Sequence, residues 1–282
     1  MSFLSKTFRY VNENGESITF TYNDGFLINK PVGIDTLQVS LSQATGIDQV
    51  GATIQSANVQ PRPVTVSGIL VGEFVANNKE KLLSVVRPDL TAKLYADDYY
   101  LNVRPTSTPT IDPSTKFAKF QFSVLAAYPY WQKAENAKIE LSTVEYGFKF
   151  PWNISQEYYF GKVVETQFFN IVNRGQIPVP FTATFFARGD CVNPKITNVN
   201  TGKFMLVNKT LVAGERVVVE ITHERTYVTS SIDGDIRGAL SLKSSLNRLD
   251  VGENVLKPEA DEGKNQLEVS VDFATEIVGI AL

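Results

Sequence analysis

Short runs of alternating apolar and polar residues mark most of this chain as β-strand. In residues 181–187, apolar side chains share one face of an extended segment and two threonines share the other, because side chains alternate along a strand. The same alternation occurs at 119–124 and 267–273. Turn residues separate such runs, and Asn14-Gly15 and Asp233-Gly234 are strong hairpin signals. The pattern predicts a mainly β protein.

One segment, residues 78–87, has the periodicity of a helix instead. Asn77 is suited to be its N-cap, with Glu80 at the capping-box spacing, and Pro88 disfavours helical geometry at the residue before it. A helix of about ten residues is marginal in isolation, so this one must pack on a sheet. Its apolar stripe consists of Leu82, Leu83 and Val86.

Three polar stretches interrupt the strand pattern. Part of residues 41–63 is interpreted as a loop that becomes ordered against a partner. Residues 105–115 are rich in Pro, Ser and Thr, which fits either a solvated hairpin loop or an arm that packs on a neighbouring subunit. Residues 134–138 lack apolar anchors and are the predicted boundary between a first domain, 1–133, and a second, 134–282.

Composition narrows the classes of function. The chain has 282 residues with 18 Phe and 11 Tyr, which argues against disorder. Its net charge of −3, without a long basic run, gives little support to nucleic-acid binding. The single cysteine, Cys191, excludes an internal disulfide framework and is expected to be an inert thiol. No run of 18 apolar residues and no signal-peptide pattern is present, so we expect synthesis in a bacterial cytoplasm without a signal peptide, and no membrane partner.

The sequence offers little chemistry. His223 is the only histidine, which removes paired-histidine metal sites, and Asp97-Asp98 is typical of a turn between strands. Phosphate-loop, dinucleotide, zinc-protease and hydrolase motifs are absent. We therefore predict no catalytic, cofactor or metal site, and a protein that is not an enzyme. The aromatic residues Trp152, Tyr158 and Tyr159 fit either a carbohydrate-binding face or the filling of a core or domain junction.

Several motifs, in their order and spacing, resemble those of siphophage distal tail proteins. In the second half these are G-x-x-P-x-P at 175–180, N-P-x-I-T-N-x-N-T-G at 193–202 and A-G-E at 213–215. In the first half they are P-R-P at 61–63 and A-Y-P-Y-W at 127–131.

The resemblance implies two β-sandwich domains. Residues 1–133, with the helix at 78–87, would form the ring-making domain, and residues 134–282 would form a galectin-like domain. Six copies would close into a ring at the virion tail tip and join the tail tube protein to a tail-associated hub protein. A receptor-binding protein is a further candidate partner, and DNA would pass through the lumen only as cargo. The alternative is a carbohydrate-binding β-sandwich module for host adsorption.

Overall fold

The chain forms two units, one of which is built from both ends of the sequence. The structure is a computed structural model that describes residues 6–72, 75–114, 116–141, 143–145, 162–164 and 168–281. Unit 1 comprises Met1–Ala134 and Glu276–Leu282, and unit 2 comprises Glu135–Thr275. The second unit is therefore an insertion in the chain of the first.

Nearly all regular structure in the described residues is β. The strands that precede unit 2 are β1 (Phe8–Asn12), β2 (Ser17–Thr19), β3 (Phe26–Ile28), β4 (Val39–Ala44), β5 (Thr53–Val59), β6 (Arg62–Leu70), β7 (Ala92–Ala96), β8 (Tyr99–Pro105), β9 (Thr110–Ile111), β10 (Ala118–Ala126) and β11 (Trp131–Lys133). The strands of unit 2 are β12 (Ala137–Glu140), β13 (Thr143–Glu145), β14 (Lys162–Val164), β15 (Phe169–Asn173), β16 (Thr182–Ala187), β17 (Cys191–Val192), β18 (Lys195–Asn198), β19 (Phe204–Leu206), β20 (Thr210–Leu211), β21 (Arg216–Ile221), β22 (Thr226–Ser230), β23 (Gly234–Asp235), β24 (Gly252–Glu259) and β25 (Leu267–Phe273). The chain then returns to unit 1 as β26 (Glu276–Ile277), and the helices are α1 (Val75–Val85) and two 3₁₀ turns, Arg237–Ala239 and Lys264–Gln266.

Unit 1 is a ten-stranded antiparallel sheet whose two halves share one core. The strand order is β2-β1-β7-β8-β10-β6-β3, with β9 beside β10, β11 beside β8 and β26 beside β11. Inward-facing side chains of both halves meet, as the edge-to-face contact of Tyr10 with Phe122 shows, with ring centroids 5.9 Å apart. Burial alternates strictly along β10, because Phe120, Phe122 and Val124 face the core. The predicted strand at 119–124 is confirmed.

The helix forms, but not with the predicted bounds. The helix runs over Val75–Val85, so it starts three residues before the predicted start at 78 and ends two residues before the predicted end at 87. Asn77 therefore lies inside the helix and is not its N-cap. Burial of Val75 in the core extends the helix backwards, which local capping signals do not reveal. Its buried face, which includes Leu82 and Val85, packs against β2 and β6, as the short-helix argument required.

Unit 2 is a sandwich of two sheets. One sheet has the order β12-β25-β16-β21-β22-β23 and the other has the order β15-β24-β18-β19. Side chains from both sheets, such as Phe185 and Leu256, belong to one buried cluster. The mainly β fold class is therefore confirmed, and the runs predicted at 181–187 and 267–273 appear as β16 and β25.

A buried arginine closes unit 1. Arg62 is 2% exposed at the start of β6, and its guanidinium donates to four backbone carbonyl oxygens from three separate segments. The acceptors are Pro129 O at 2.6 Å, Gly33 O at 2.8 Å, Ile34 O at 2.9 Å, and Val278 O. Burial lowers the pKa of Arg62 from its ordinary value, and the nearby Asp35 charge acts in the opposite direction. We call this arrangement the Arg62 clamp.

The carbonyl of Ile34 is the point where the clamp segments converge. Besides Arg62, it accepts a hydrogen bond from the Trp131 indole Nε1 at 3.0 Å and one from the Ile280 N–H at 3.1 Å. Gly33 has a φ of +92°, and a Cβ there would lie 2.1 Å from the Pro63 carbonyl oxygen. Only glycine fits where these segments pass each other. The P-R-P and Y-P-Y-W motifs therefore meet in one buried contact.

The end of the chain contributes a strand to unit 1, whereas the predicted second domain ran to residue 282. Strand β26 pairs with β11, and the buried Glu276 carboxylate accepts hydrogen bonds from the Tyr128 hydroxyl at 2.5 Å and from Gln132 Nε2 at 3.1 Å. Ile280 then enters the core of unit 1. Strands β11 and β26 pair although more than a hundred residues separate them, and such pairing has no local signal in the sequence. The sequence pattern therefore does not predict that the chain returns to unit 1.

The Arg62 clamp predicts a large loss of stability for Arg62→Met. The variant leaves several buried carbonyl oxygens without a donor, so the free energy of unfolding of unit 1 should fall by about 3–5 kcal/mol. The measurement is urea unfolding followed by the fluorescence of Trp131 in a Trp152→Phe background, since the chain has two tryptophans.

Arg87→Met is the matched control, because Arg87 is exposed and bonds only the neighbouring Asp89 carboxylate and so should leave the urea midpoint unchanged. Equal midpoints for Arg62→Met and the parent protein would contradict the assigned role of the clamp.

Candidate functional site

An exposed β-hairpin projects from unit 1 between residues 38 and 60. Strands β4 and β5 pair only with each other among the described residues, with a register shift at Ser42/Gln43. Every residue of β5 and all but the last of β4 are exposed. At the tip, Ile47 and Val50 are 98% and 102% exposed. We call residues 39–59 the arm.

The arm has local hydrogen bonds of its own, although the described residues of unit 1 leave it exposed. The tip is closed by Gln49, whose side chain accepts a hydrogen bond from the Gly46 N–H at 2.9 Å and donates one to Thr53 Oγ1 at 3.0 Å. At the base, the Gln60 N–H donates to the Gln38 carbonyl at 2.8 Å. A two-stranded ribbon is marginally stable alone in water, so the anchoring of its base matters.

The base of the arm is held by the Arg62 clamp. The arm leaves the body after Asp35 and re-enters at Arg62, and the guanidinium spans this gap by bonding the Gly33 and Ile34 carbonyls. The Lys30–Asp35 ion pair, at 2.7 Å, lies on the same root. Both ends of the exposed arm therefore lie close to the buried and hydrogen-bonded Arg62 guanidinium.

The arm bears on one sequence interpretation. Part of residues 41–63 was expected to be a loop; residues 45–52 lie outside regular structure, whereas residues 39–44 and 53–59 form strands β4 and β5. The sequence pattern is weak because both faces of the ribbon are exposed, so no apolar alternation is imposed. In the segment 105–115, strand β9 pairs with β10, which favours the hairpin-loop interpretation over a free arm.

The motif residues of unit 2 have turn-forming roles. The Asn198 side chain accepts hydrogen bonds from the N–H groups of Asn200 at 3.0 Å and Thr201 at 3.3 Å, and its Nδ2 donates to Asn254 at 3.3 Å. Gly202 adopts a φ of +70° in the same turn. The N-x-N-T-G motif thus shapes the β18–β19 hairpin and ties it to β24 through a buried amide pair.

The A-G-E motif places a buried carboxylate. The fully buried Glu215 accepts a hydrogen bond from Ser230 Oγ at 2.6 Å and pairs with Lys209 Nζ at 3.1 Å. Burial alone would raise the pKa of Glu215, but the bonds from Ser230 and Lys209 lower it below its ordinary value. Lys209 also pairs with Asp233 at 2.8 Å, so this motif joins three turns of unit 2.

A second ionic cluster lies on β18 and β24. The Glu259 carboxylate contacts Lys257 Nζ at 2.7 Å, Lys195 Nζ at 3.2 Å and Thr197 Oγ1 at 2.8 Å. Burial raises the pKa of Glu259, but the hydrogen bonds from these three partners outweigh it and hold the pKa at about 2, below the ordinary 4.5. Both clusters support the fold and leave no reactive group in an accessible cleft.

Cys191 and Asp97, two of the residues considered for chemistry from the sequence, have structural positions. No group of three or more His, Cys, Asp or Glu side chains in the described part of the chain could hold a metal ion. Cys191 is buried, and burial raises the pKa of its thiol to about 11, which suits an inert residue. Asp97 forms the β7–β8 turn with a φ of +50° and accepts the Thr7 N–H at 2.9 Å.

Two other expectations concern carbohydrate and membrane. Trp152, Tyr158 and Tyr159 lie outside the described residues, so the carbohydrate-binding interpretation stays a prediction. Among the described residues, no helix has both the length and the apolar character needed to span a bilayer.

The Glu259 cluster predicts a pH dependence for the stability of unit 2. Because the folded-state pKa lies below the ordinary value, the stabilisation is complete above about pH 4.5 and is lost as the pH falls towards about 2. In calorimetry across this range, Glu259→Gln should lower Tm near neutral pH and approach the parent protein near pH 2, giving a shallower profile.

Glu253→Gln is the control, since Glu253 is an exposed carboxylate on the same strand. Parallel pH profiles for Glu259→Gln and the parent protein would show that the cluster does not stabilise unit 2.

Comparison with known proteins identifies the second half of the chain. Residues 174–276 match a family model described as the C-terminal domain of a siphovirus-type tail component. The matched segment contains all three motifs quoted above for that half. Comparison with curated proteins gave no match.

Solved structures extend the similarity to nearly the whole chain. The crystal structure of SPP1 Dit (gp 19.1), described as a paradigm of the hub adsorption apparatus in phages infecting Gram-positive bacteria, matches with a TM-score of 0.70 and 14% identity, over 95% of this chain and 98% of that one. Two structures of the phage P2 baseplate in its activated conformation, with Ca and with Sr, match with TM-scores of 0.51 and 0.52 at 9% identity, over 98% of this chain and 100% of those.

At these identities the structural matches establish a shared fold, and the family model adds the sequence signal. The predicted resemblance is therefore confirmed: the chain has the fold of a Dit-type phage tail component, and residues 174–276 match the family model of the C-terminal domain of a siphovirus-type tail component.

Proposed function

We propose that this protein is a structural component of the tail tip or baseplate of a phage or phage-derived particle, and that six copies close into a ring. The Dit-type fold over 95% of the chain supports the assignment to a tail component. In this proposal unit 1 forms the ring and unit 2 is the galectin-like domain. The protein acts by matching surfaces and carries out no bond-making reaction.

The observation that carries the proposal is the arm. A cyclic ring uses heterologous contacts, so each copy must present one surface to the copy ahead and a different one to the copy behind. The arm is a surface of the first kind, because it projects from a firmly anchored root. Its exposed apolar side chains would cost free energy if they stayed in water. They are Val39, Leu41, Ile47, Val50, Ile54 and Val59.

The free edges of the arm point to the same use. Isolated exposed strands with unpaired backbone groups are liable to pair with another chain, and proteins normally cover them. Here the arm has no charged residue except Asp48, so charge does not protect it against such pairing. Contact with a neighbouring copy would cover both its backbone edges and its apolar side chains.

The further partners follow from the proposed ring. The ring would join the tail tube protein to the tail-associated hub protein, with a receptor-binding protein as a further partner in host adsorption. Its place is the virion tail tip, and DNA passes through the lumen only as cargo. The SPP1 Dit structure, described as part of a hub adsorption apparatus, supports this placement.

Sedimentation velocity across a concentration series tests the role of the arm. We expect the parent protein to form a species of six chains. Ile47→Asp/Val50→Asp should weaken association by at least tenfold, because burial of each aliphatic side chain contributes about 1.5–3 kcal/mol.

Leu242→Asp is the matched control, since Leu242 is also fully exposed, at 104%, but lies in unit 2. Association of the double variant with the same strength as the parent protein would remove the arm from the interface, and a parent protein that stays monomeric throughout the series would count against the ring.

A further inference from the structure

The outward face of β1, β7 and β8 carries an unusual pairing of cations with tyrosines. In the sheet register, Arg9 lies opposite Tyr95, and Tyr95 lies opposite Tyr100 on the next strand. Lys93, two residues before Tyr95, shares their face because side chains of like parity point the same way. This group lies on the side of the sheet away from the core, whose inward residues at these strands include Tyr10, Leu94 and Leu101.

Two cations on this face each lie over one of two neighbouring tyrosine rings. The Arg9 guanidinium lies 4.6 Å from the Tyr95 ring centroid, the Lys93 ammonium lies 4.6 Å from that of Tyr100, and the two rings are 5.7 Å apart. Neither cation has a carboxylate partner within the described residues. Cation–π contacts fix the two heads in place but neutralise neither, so the pair creates a local positive potential.

A third cation and a groove extend this face. Arg104 on β8 is exposed, and its guanidinium donates only to the Pro88 and Asp89 carbonyl oxygens, at 3.1 and 3.2 Å. Beside the three cations runs a groove of about 650 Å³. Its lining combines apolar and polar side chains, including Val11, Lys93, Tyr95, Asn102, Arg104 and Leu125. It also contains one carboxylate, that of Glu13, which accepts hydrogen bonds from the Thr91 N–H and hydroxyl.

We infer that this face docks an acidic, extended segment of a partner protein. Carboxylates two residues apart on an extended segment project from one side about 6.7 Å apart, close to the separation of the tyrosine rings beneath Arg9 and Lys93. Each carboxylate would form a charge-assisted hydrogen bond with one cation. The apolar lining at Val11 and Leu125 would bury side chains between them. The inference is independent of arm-mediated association and adds a second, electrostatic contact surface.

The charge distribution favours a protein over a nucleic acid as the occupant. Binding to a phosphate backbone depends on neutralising many phosphates with Lys and Arg, about 6–10 in a strongly salt-dependent complex. This face supplies three cations and, at Glu13, one carboxylate, and the chain as a whole carries a net charge of −3. Three cations set beside an apolar groove suit a short acidic segment, where a few charges set register and side-chain burial adds affinity.

The test is fluorescence anisotropy with a synthetic ten-residue peptide of alternating Glu and Thr. We expect saturable binding that weakens as salt is raised, and about tenfold weaker binding to Arg9→Gln/Lys93→Gln. Both residues are exposed, so the variant should keep the Tm of the parent protein. Lys116→Gln/Lys119→Gln, which removes the same charge from exposed positions elsewhere in unit 1, should bind normally.

Four results would overturn the inference. Equal binding of the corresponding Gln-Thr peptide would show that the charge of the peptide does not determine binding. Unchanged binding to the Arg9→Gln/Lys93→Gln variant would exclude this face as the binding site, as would no binding to the parent protein. Tighter binding of a ten-nucleotide oligothymidine than of the acidic peptide would assign the face to nucleic acid. Because sedimentation of the arm variant is measured separately, failure here leaves the proposed ring untouched.

Discussion

Unit 1 depends on a single buried cation. The Arg62 guanidinium must be satisfied without a carboxylate in contact, and only backbone carbonyls brought from three segments achieve this. One of those segments, around Val278, arrives after the whole of unit 2. A planar donor fork with five N–H groups suits such a task, and a lysine would not replace it. The segment around Val278 is therefore tied to residues 33–34, close to the place where the arm begins.

The arm has a fixed root and exposed strands. At its root the arm is fixed by three donors, the Arg62 guanidinium, the Trp131 indole and the Ile280 N–H. All three donate hydrogen bonds to the Ile34 carbonyl oxygen. Beyond the root, the arm presents aliphatic side chains and free strand edges to solvent. A projecting segment that must meet a neighbour in one orientation benefits from a fixed base, since less conformational entropy is lost on contact. Unit 2 uses other means, with buried asparagine and glutamate side chains shaping its turns.

The sequence predicted what local pattern controls. The strands at β10, β16 and β25 alternate because one face is buried, and a short helix was expected because its apolar stripe is visible. Prediction from the sequence failed where a structural feature depends on residues distant in the chain, or where no buried face imposes a pattern. Val75 belongs to α1 because it packs in the core, and β26 pairs with a strand that precedes the inserted unit 2. Both faces of the arm are exposed to solvent, so its sequence shows no alternation of apolar and polar residues. The motifs at 61–63 and 127–131 resembled those of distal tail proteins, but their contact with each other at Arg62 is visible only in the three-dimensional structure.

The arm is proposed to be an interface rooted on the Arg62 clamp, and hydrogen exchange with mass spectrometry tests this proposal most directly. It compares the protein at concentrations below and above self-association. Amides of residues 39–59 should exchange rapidly in the single chain and at least about tenfold more slowly in the assembly, while the root, at Ile34 and Ile280, stays slow in both. Arm amides that exchange at the same rate in both states would contradict the account, as would a root that exchanges as fast as the arm.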